Sequence, residues 1–250
     1  MPVIKYIFLG VVQGLTEFLP VSSSAHLVIF QDLLQIRENQ LLLNIVLHLG
    51  SLAALIVFLF KDIKRLLRTK VLLYIFLATA LSAVIVMLGE DFFESMFFSA
   101  SRLALPLFIT GLILLGAKKF AKGARLLPDL KIADAFWLGI AQGFSVIPGL
   151  SRSGVTISTL LFRNVERETA FKFSFLASIL AILGALFFKL KDFSSVAPCE
   201  FRCMLFGFSA AFLSGLLALK ILLIAIRRAR LHLFGYYCLA LALVLWRWSI

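Results

Sequence analysis

The chain has 250 residues, of which 62% are hydrophobic and 15% charged, and its mean hydropathy is +1.03. Soluble domains are about half apolar and a quarter charged, so this composition excludes an ordinary soluble domain and indicates an integral membrane protein. The net charge of +12 does not indicate nucleic acid, because the cations fall in short runs between apolar stretches, the positive-inside arrangement of cytoplasmic loops.

At roughly 20 residues per crossing, the length allows about six to eight spans and little else. The first apolar stretch, residues 3–30, is broken by "EFLPVSSS". It has no basic leader beyond Lys5 and carries Gln13 and Glu17, so it reads as part of the mature fold rather than a signal peptide. Gln13 and Glu17 are four apart and share a helical face. Pro20 ends that helix. Ser22, Ser23 and Ser24 stand where a new helix starts, and a serine-capped helix N-terminus attracts anions. His26, three residues past Ser23, is expected on the same side. One carboxylate, several hydroxyls and one imidazole are thus predicted to converge.

Residues 41–60 form the first unbroken span, followed by the basic run "KDIKRLLRTK" (61–70). Within that span, His48 with Asn44 reads as a packing or hydrogen-bonding residue. Further spans are predicted at 71–90 and 103–117, before a second basic run at 118–131.

The second broken stretch, 134–163, is interrupted by "SVIPGLSRSG". Pro148–Gly149 makes the turn, Ser151 is the expected cap, and Arg152 and Ser153 enter the first helical turn, with Thr156 four residues after Arg152. Gln142 reads as inter-helix glue. An arginine at membrane depth costs about 2.5–3.5 kcal/mol even on the lenient insertion scale, so an anion is expected to offset it. A guanidinium, hydroxyls and two helix N-termini suit phosphate oxygens, and two such ends facing each other suit a diphosphate. The bland alternative is that Glu17 and Arg152 only pair with each other.

Spans at 170–188, 203–226 and 233–248 complete the pattern, the last ending in "LWRWSI", whose tryptophans suit an interface. Cys199, Cys203 and Cys238 are odd in number and lack metal-ligand spacing; they read as bland thiols, with Cys199 and Cys203 able to pair only in an extracytoplasmic loop.

Placing the basic loops 61–70, 118–131 and 227–232 in the cytoplasm puts both termini outside. The first broken hairpin then enters from outside and the second from inside. Non-helical backbone at membrane depth needs protein or a wet cavity around it, so both are expected to be re-entrant. "LGVVQGLTEFLPVSSS" (9–24) aligns without gaps to "LGIAQGFSVIPGLSRS" (138–153), matching Leu9, Gly10, Gln13, Gly14, Ser22 and Ser24 with Leu138, Gly139, Gln142, Gly143, Ser151 and Ser153. The expected fold is one all-α membrane domain over 1–250. It has six transmembrane helices and two re-entrant hairpins, built as an inverted repeat (about 1–60 and 134–190) with a midplane site.

"QGLTEFLPVSSSAH" and "PGLSRSGVT" resemble the two signature stretches of the bacitracin-resistance family of undecaprenyl-diphosphate phosphatases, and "LNIVLHLGSLAALIVFLF" (43–60) resembles the family's following span. The likeness runs in order along nearly the whole chain. It implies removal of the terminal phosphate of a polyprenyl diphosphate outside the cytoplasm, in the bacterial plasma membrane, with Mg²⁺ or Ca²⁺. Carried over, Glu17 would hold metal or water, with Gln13 beside it. Ser23 and His26 would be nucleophile, acid or base, and Arg152 would clamp the diphosphate. Ser22, Ser151, Ser153 and Thr156 would bond its oxygens. Two departures stand out: many members have Glu at Gln13, and "SSSAH" replaces the more usual Ser-Ser-Thr-Gly-His. Expected partners are the lipid diphosphate, the bilayer and at most a second copy of the chain, with no nucleic acid. The rival readings are a polyprenyl-phosphate transporter on the same repeat and a non-catalytic lipid-binding partner.

Overall fold

The computed structural model describes residues 3–36, 40–66, 70–89, 92–93, 103–120, 122–189 and 198–248. The helices that build the molecule are α1 Val3–Phe18, α2 Ser23–Leu33, α3 Gln40–Phe58, α4 Phe60–Leu66, α5 Lys70–Leu88, α6 Ala104–Ala117, α7 Ile132–Phe144, α8 Arg152–Phe162, α9 Arg167–Lys189, α10 Pro198–Arg227 and α11 His232–Trp248. The nearest approach to a strand among the described residues is a single bridge between Arg125 and Val165.

Among the described residues, four helices are long and apolar enough to cross a bilayer: Gln40–Phe58, Lys70–Leu88, Arg167–Leu186 and Phe201–Arg227. Of the six expected spans, the other two are shorter, with 14 residues in α6 and 17 in α11. Large apolar side chains such as Phe76, Leu105, Leu213 and Leu243 stand exposed on the outside of the bundle, the surface that lipid covers.

Close helix contacts are set by small residues. α1 lies along α10, and a Cβ on Gly10 would sit 2.2 Å from Gly207 O, one on Gly14 2.3 Å from Ala211 O. Their sequence counterparts do the same elsewhere: α7 lies along α5, with Gly139 against Ala78 O and Gly143 against Ile85. Glycines four apart let two backbones touch, which is how membrane helices gain packing energy without a hydrophobic driving force. α6 and α11 pack on each other, Gly111 against Leu239 and Gly235.

Each broken segment is a helix pair with a tight turn. α1 stops at Phe18, before Pro20, and α2 begins after Ser22, whose hydroxyl accepts the Ala25 N–H at 3.5 Å. Ser151 caps α8 in the same way, accepting the Gly154 N–H at 3.2 Å. The turns are held from outside by equivalent bonds. Thr110 on α6 donates to Gly149 O at 3.2 Å, and the Cys238 thiol on α11 donates to Pro20 O at 3.4 Å. Cys238 and Cys203 are both buried free thiols, whereas the Cys199 side chain lies outside the described residues.

At the open end of the α7–α8 pair, Asp134 is fully buried beneath two arginines. Arg125 donates to both carboxylate oxygens, at 2.7 and 3.0 Å, and Arg163 Nε donates to Oδ1 at 2.6 Å. Arg125 also donates to Arg163 O. This clasp ties the loop before α7 to the end of α8.

Candidate active site

A cavity of about 360 Å³ lies among the two helix pairs, α3 and α9. Its size is in the range of small-molecule sites. One wall is apolar, with Leu27, Val28, Leu41, Ile182 and Leu186; the other is polar, centred on Glu17.

Glu17 sits in the last turn of α1, where the helix dipole is unfavourable to a carboxylate. Donors surround it in compensation. Ser23 Oγ donates to Oε2 at 2.7 Å and Gln13 Nε2 donates to the same oxygen at 3.1 Å. Arg152 Nη2 donates to Oε1 in a direct ion pair. His48 Nε2 stands 3.6 Å from Oε2. The Glu17 and Arg152 side chains are only 6% and 17% exposed, so each charge depends on the other for neutralisation.

Ser23 and Arg152 hold equivalent places. Each directly follows its cap, and the gapless alignment sets 23 against 152. The starts of α2 and α8 therefore reach the same carboxylate from two sides, one with a hydroxyl and one with a guanidinium. The serine pairs around them match too: Ser22 Oγ lies 3.2 Å from Ser24 Oγ, and Ser151 Oγ 3.3 Å from Ser153 Oγ. Ser22 has φ 69°, a left-handed backbone that costs a serine about 1–3 kcal/mol and concentrates at functional sites.

Of the residues singled out in the two broken stretches for anion binding, Glu17, Ser22, Ser23, Ser24, Ser151 and Arg152 line the cavity. Gln13 is buried behind Glu17, with its Nε2 also 3.4 Å from Ser51 Oγ. Ser153 stands behind Ser151. Thr156 is buried, donates to Arg152 O at 2.6 Å and shares a 2.6 Å bond with Ser174 Oγ; it supports the first turn of α8. The predicted convergence of His26 on Ser23 is not what the structure presents. His26 Nδ1 is bonded to Ser22 O and Nε2 to Tyr237 Oη, both at 2.7 Å, and its ring stacks on Tyr237. α2 is turned so that this side of it packs on α11.

Sequence reasoning underrated the α3 side. His48 and Asn44 line the cavity, as do Gln31, Gln142 and Ser145, and Gln31 Nε2 donates to Asn44 Oδ1 at 2.6 Å. The signal was the four-residue spacing of Asn44 and His48 on one face of an otherwise apolar span.

The bundle and its centre define a class: a polytopic helical membrane protein that encloses a buried glutamate–arginine pair between two serine-capped helix starts. The family described as Bacitracin resistance protein BacA matches residues 6–244, and the chain belongs to that family. It is 42% identical over 238 residues to an undecaprenyl-diphosphatase of Carboxydothermus hydrogenoformans, covering 92% of this chain and 91% of that one. It is 38% identical to an undecaprenyl-diphosphatase of Methanobrevibacter smithii, over 100% of this chain and 99% of the relative. A third relative of that name, from Thermotoga petrophila, is 39% identical over 95% and 97% of the two chains.

Proposed function

We propose that this protein is a membrane phosphatase that hydrolyses undecaprenyl diphosphate to undecaprenyl phosphate and phosphate. It thereby returns the lipid carrier to cell-wall synthesis and gives the bacitracin resistance for which its family is named. The observation that carries this reading is the Glu17–Arg152 pair, buried in a cavity that is half apolar and flanked by two helix starts. The diphosphate draws the Arg152 guanidinium onto its oxygens, a bidentate match that lysine does not make. The positive ends of α2 and α8 add to that field. Ser22, Ser23 and Ser151 supply hydroxyls, and the prenyl end lies along Leu27, Val28, Leu41, Ile182 and Leu186. Transfer of the phosphoryl group then depends chiefly on positioning and charge stabilisation.

The membrane arrangement proposed is six spans with two re-entrant helix pairs related as an inverted repeat. α1 and α2 are parted by a turn whose residues Pro20, Val21 and Ser22 are buried within the protein, as a re-entrant pair requires. The gapless alignment, the repeated caps and the exchange of packing partners (α1 with α10, α7 with α5) support the symmetry. The cavity extends along the first half of α3, at Leu41 and Asn44, and the last part of α9, at Ala185 and Leu186. Both lie away from the basic loops, which supports a site open to the outside of the plasma membrane.

The implied Mg²⁺ or Ca²⁺ requires about six hard oxygens. Both Glu17 oxygens already accept hydrogen bonds, and among the described residues no three acidic, histidine or cysteine side chains converge. Among the described residues, the buried oxygen beside Glu17 that lacks a hydrogen bond is Gln13 Oε1. These residues do not fit a resident cation. Any dependence on Mg²⁺ or Ca²⁺ is instead proposed to come through the diphosphate oxygens that the ion neutralises.

Purified protein in detergent, with no sealed membrane, should release phosphate from farnesyl or longer prenyl diphosphates. Arg152→Ala and Glu17→Ala should abolish release. Folded protein that binds the lipid yet releases no phosphate would overturn the reading.

A further inference from the structure

The proton that the attacking group must lose has no acceptor yet assigned. Ser23 points its own proton at Glu17 Oε2, and both Glu17 oxygens already accept hydrogen bonds, Oε2 from Ser23 and Gln13 and Oε1 from Arg152. His26 has both nitrogens engaged, Nδ1 by Ser22 O and Nε2 by Tyr237 Oη, and it does not line the cavity.

His48 differs. Its Nδ1 lies 2.7 Å from Asn44 O. A carbonyl oxygen only accepts, so Nδ1 carries the proton and the neutral ring keeps its lone pair on Nε2. That atom faces the cavity beside Glu17, at 3.6 Å from Oε2, and the side chain is 31% exposed there. The charged groups that line the cavity with it are Glu17 from α1 and Arg152 from α8; the remaining polar lining is hydroxyl and amide. Asn44 in turn accepts from Gln31, so α2 braces the turn of α3 that orients the imidazole.

We propose that His48 is the general base of this enzyme and that the nucleophile it serves is water. This rests on the phosphatase reading above and extends it. The water oxygen forms a bond to the terminal phosphorus while one of its protons passes to His48 Nε2. The bond from that phosphorus to the bridging oxygen breaks, and its electron pair stays on the oxygen, which leaves as prenyl monophosphate. The imidazolium then returns its proton to the released phosphate or to solvent. Glu17 keeps Ser23 and Arg152 in place during the transfer.

The test is phosphate release from farnesyl diphosphate by wild type, His48→Ala and His48→Gln, with thermal melts to confirm folding. Both variants should lose about 10²–10⁴-fold in kcat, the usual contribution of a positioned base, with KM changed by less than about threefold. Added imidazole should restore part of the activity of His48→Ala, where it has room, and none to His48→Gln, whose amide fills the space without basicity. A His48→Gln variant that keeps kcat within about threefold overturns the proposal. So does a folded His48→Ala variant that loses activity and is not rescued by imidazole. Wild type that releases no phosphate sinks the phosphatase reading itself, and the base assignment with it.

Discussion

Glu17 and Arg152 carry opposite charges into an apolar bundle, and each makes the other tolerable. Removing one leaves the other buried and uncompensated, a loss of about 3–5 kcal/mol by analogy with other buried pairs. Arg152→Ala and Glu17→Ala should therefore lower the melting temperature as well as abolish turnover. Arg152→Lys separates the two effects: it keeps the charge and most of the stability but loses the bidentate fork. The expected result is a melt close to wild type with kcat/KM down at least about 10²-fold. Equal activity of the lysine variant would show that only charge matters. The residue types at this centre were legible in the sequence, because a carboxylate and an arginine in apolar surroundings stand out. Their partners were less so. His26 and His48 are both single imidazoles in greasy helices, and nothing local says which one meets Glu17.

At the scale of elements, the breaks and caps were the most readable features. Pro20 lacks the N–H that would continue α1, Ser22 and Ser151 accept N–H groups three residues on, and the structure places the helix boundaries at these points. Glu166 does the same for α9, accepting the N–H groups of Glu168 and Thr169 at 3.0 and 2.7 Å. Partial burial alone would raise its pKa, but these bonds outweigh it and hold the carboxyl below its ordinary value of 4.5. A lowered carboxyl stabilises the fold fully above the unfolded value and loses that contribution as the pH falls through the folded one. The melting temperature of wild type should thus fall more steeply below about pH 4.5 than that of Glu166→Gln, measured as paired pH series. Helix contact is equally local in its chemistry but not in its partners. Gly14→Val should disrupt the α1–α10 contact, since even a Cβ there meets Ser214 Oγ at 2.1 Å. Overpacking of this kind costs about 1–3 kcal/mol or more. Gly184→Ala, with nothing within 4 Å of the new atom, should be neutral or stabilise by up to about 1 kcal/mol. Thermal melts of both variants check the pair.

At the scale of the molecule, the two helix pairs bring chain positions 135 residues apart into one ion pair. The Asp134 clasp with Arg125 and Arg163 closes the side away from the cavity. With Cys199 replaced by Ser, and with Cys203 and Cys238 already buried, a cysteine introduced at Leu34 should react with an impermeant maleimide added outside intact cells. One introduced at Lys64 should react only after the membrane is opened. The reverse result would invert the proposed orientation. The sequence by itself determined the membrane class, the two interruptions, the serine caps and the acid and guanidinium, because hydropathy and hydrogen bonds over three or four residues are written locally. Only the tertiary structure decided which faces look inward. α2 carries polar side chains on more than one face, Ser23 and Gln31 toward the cavity and His26 toward α11, so no amphipathic stripe fixes its rotation. Contacts with α11, more than 200 residues away, turn His26 to Tyr237 and leave the cavity to His48.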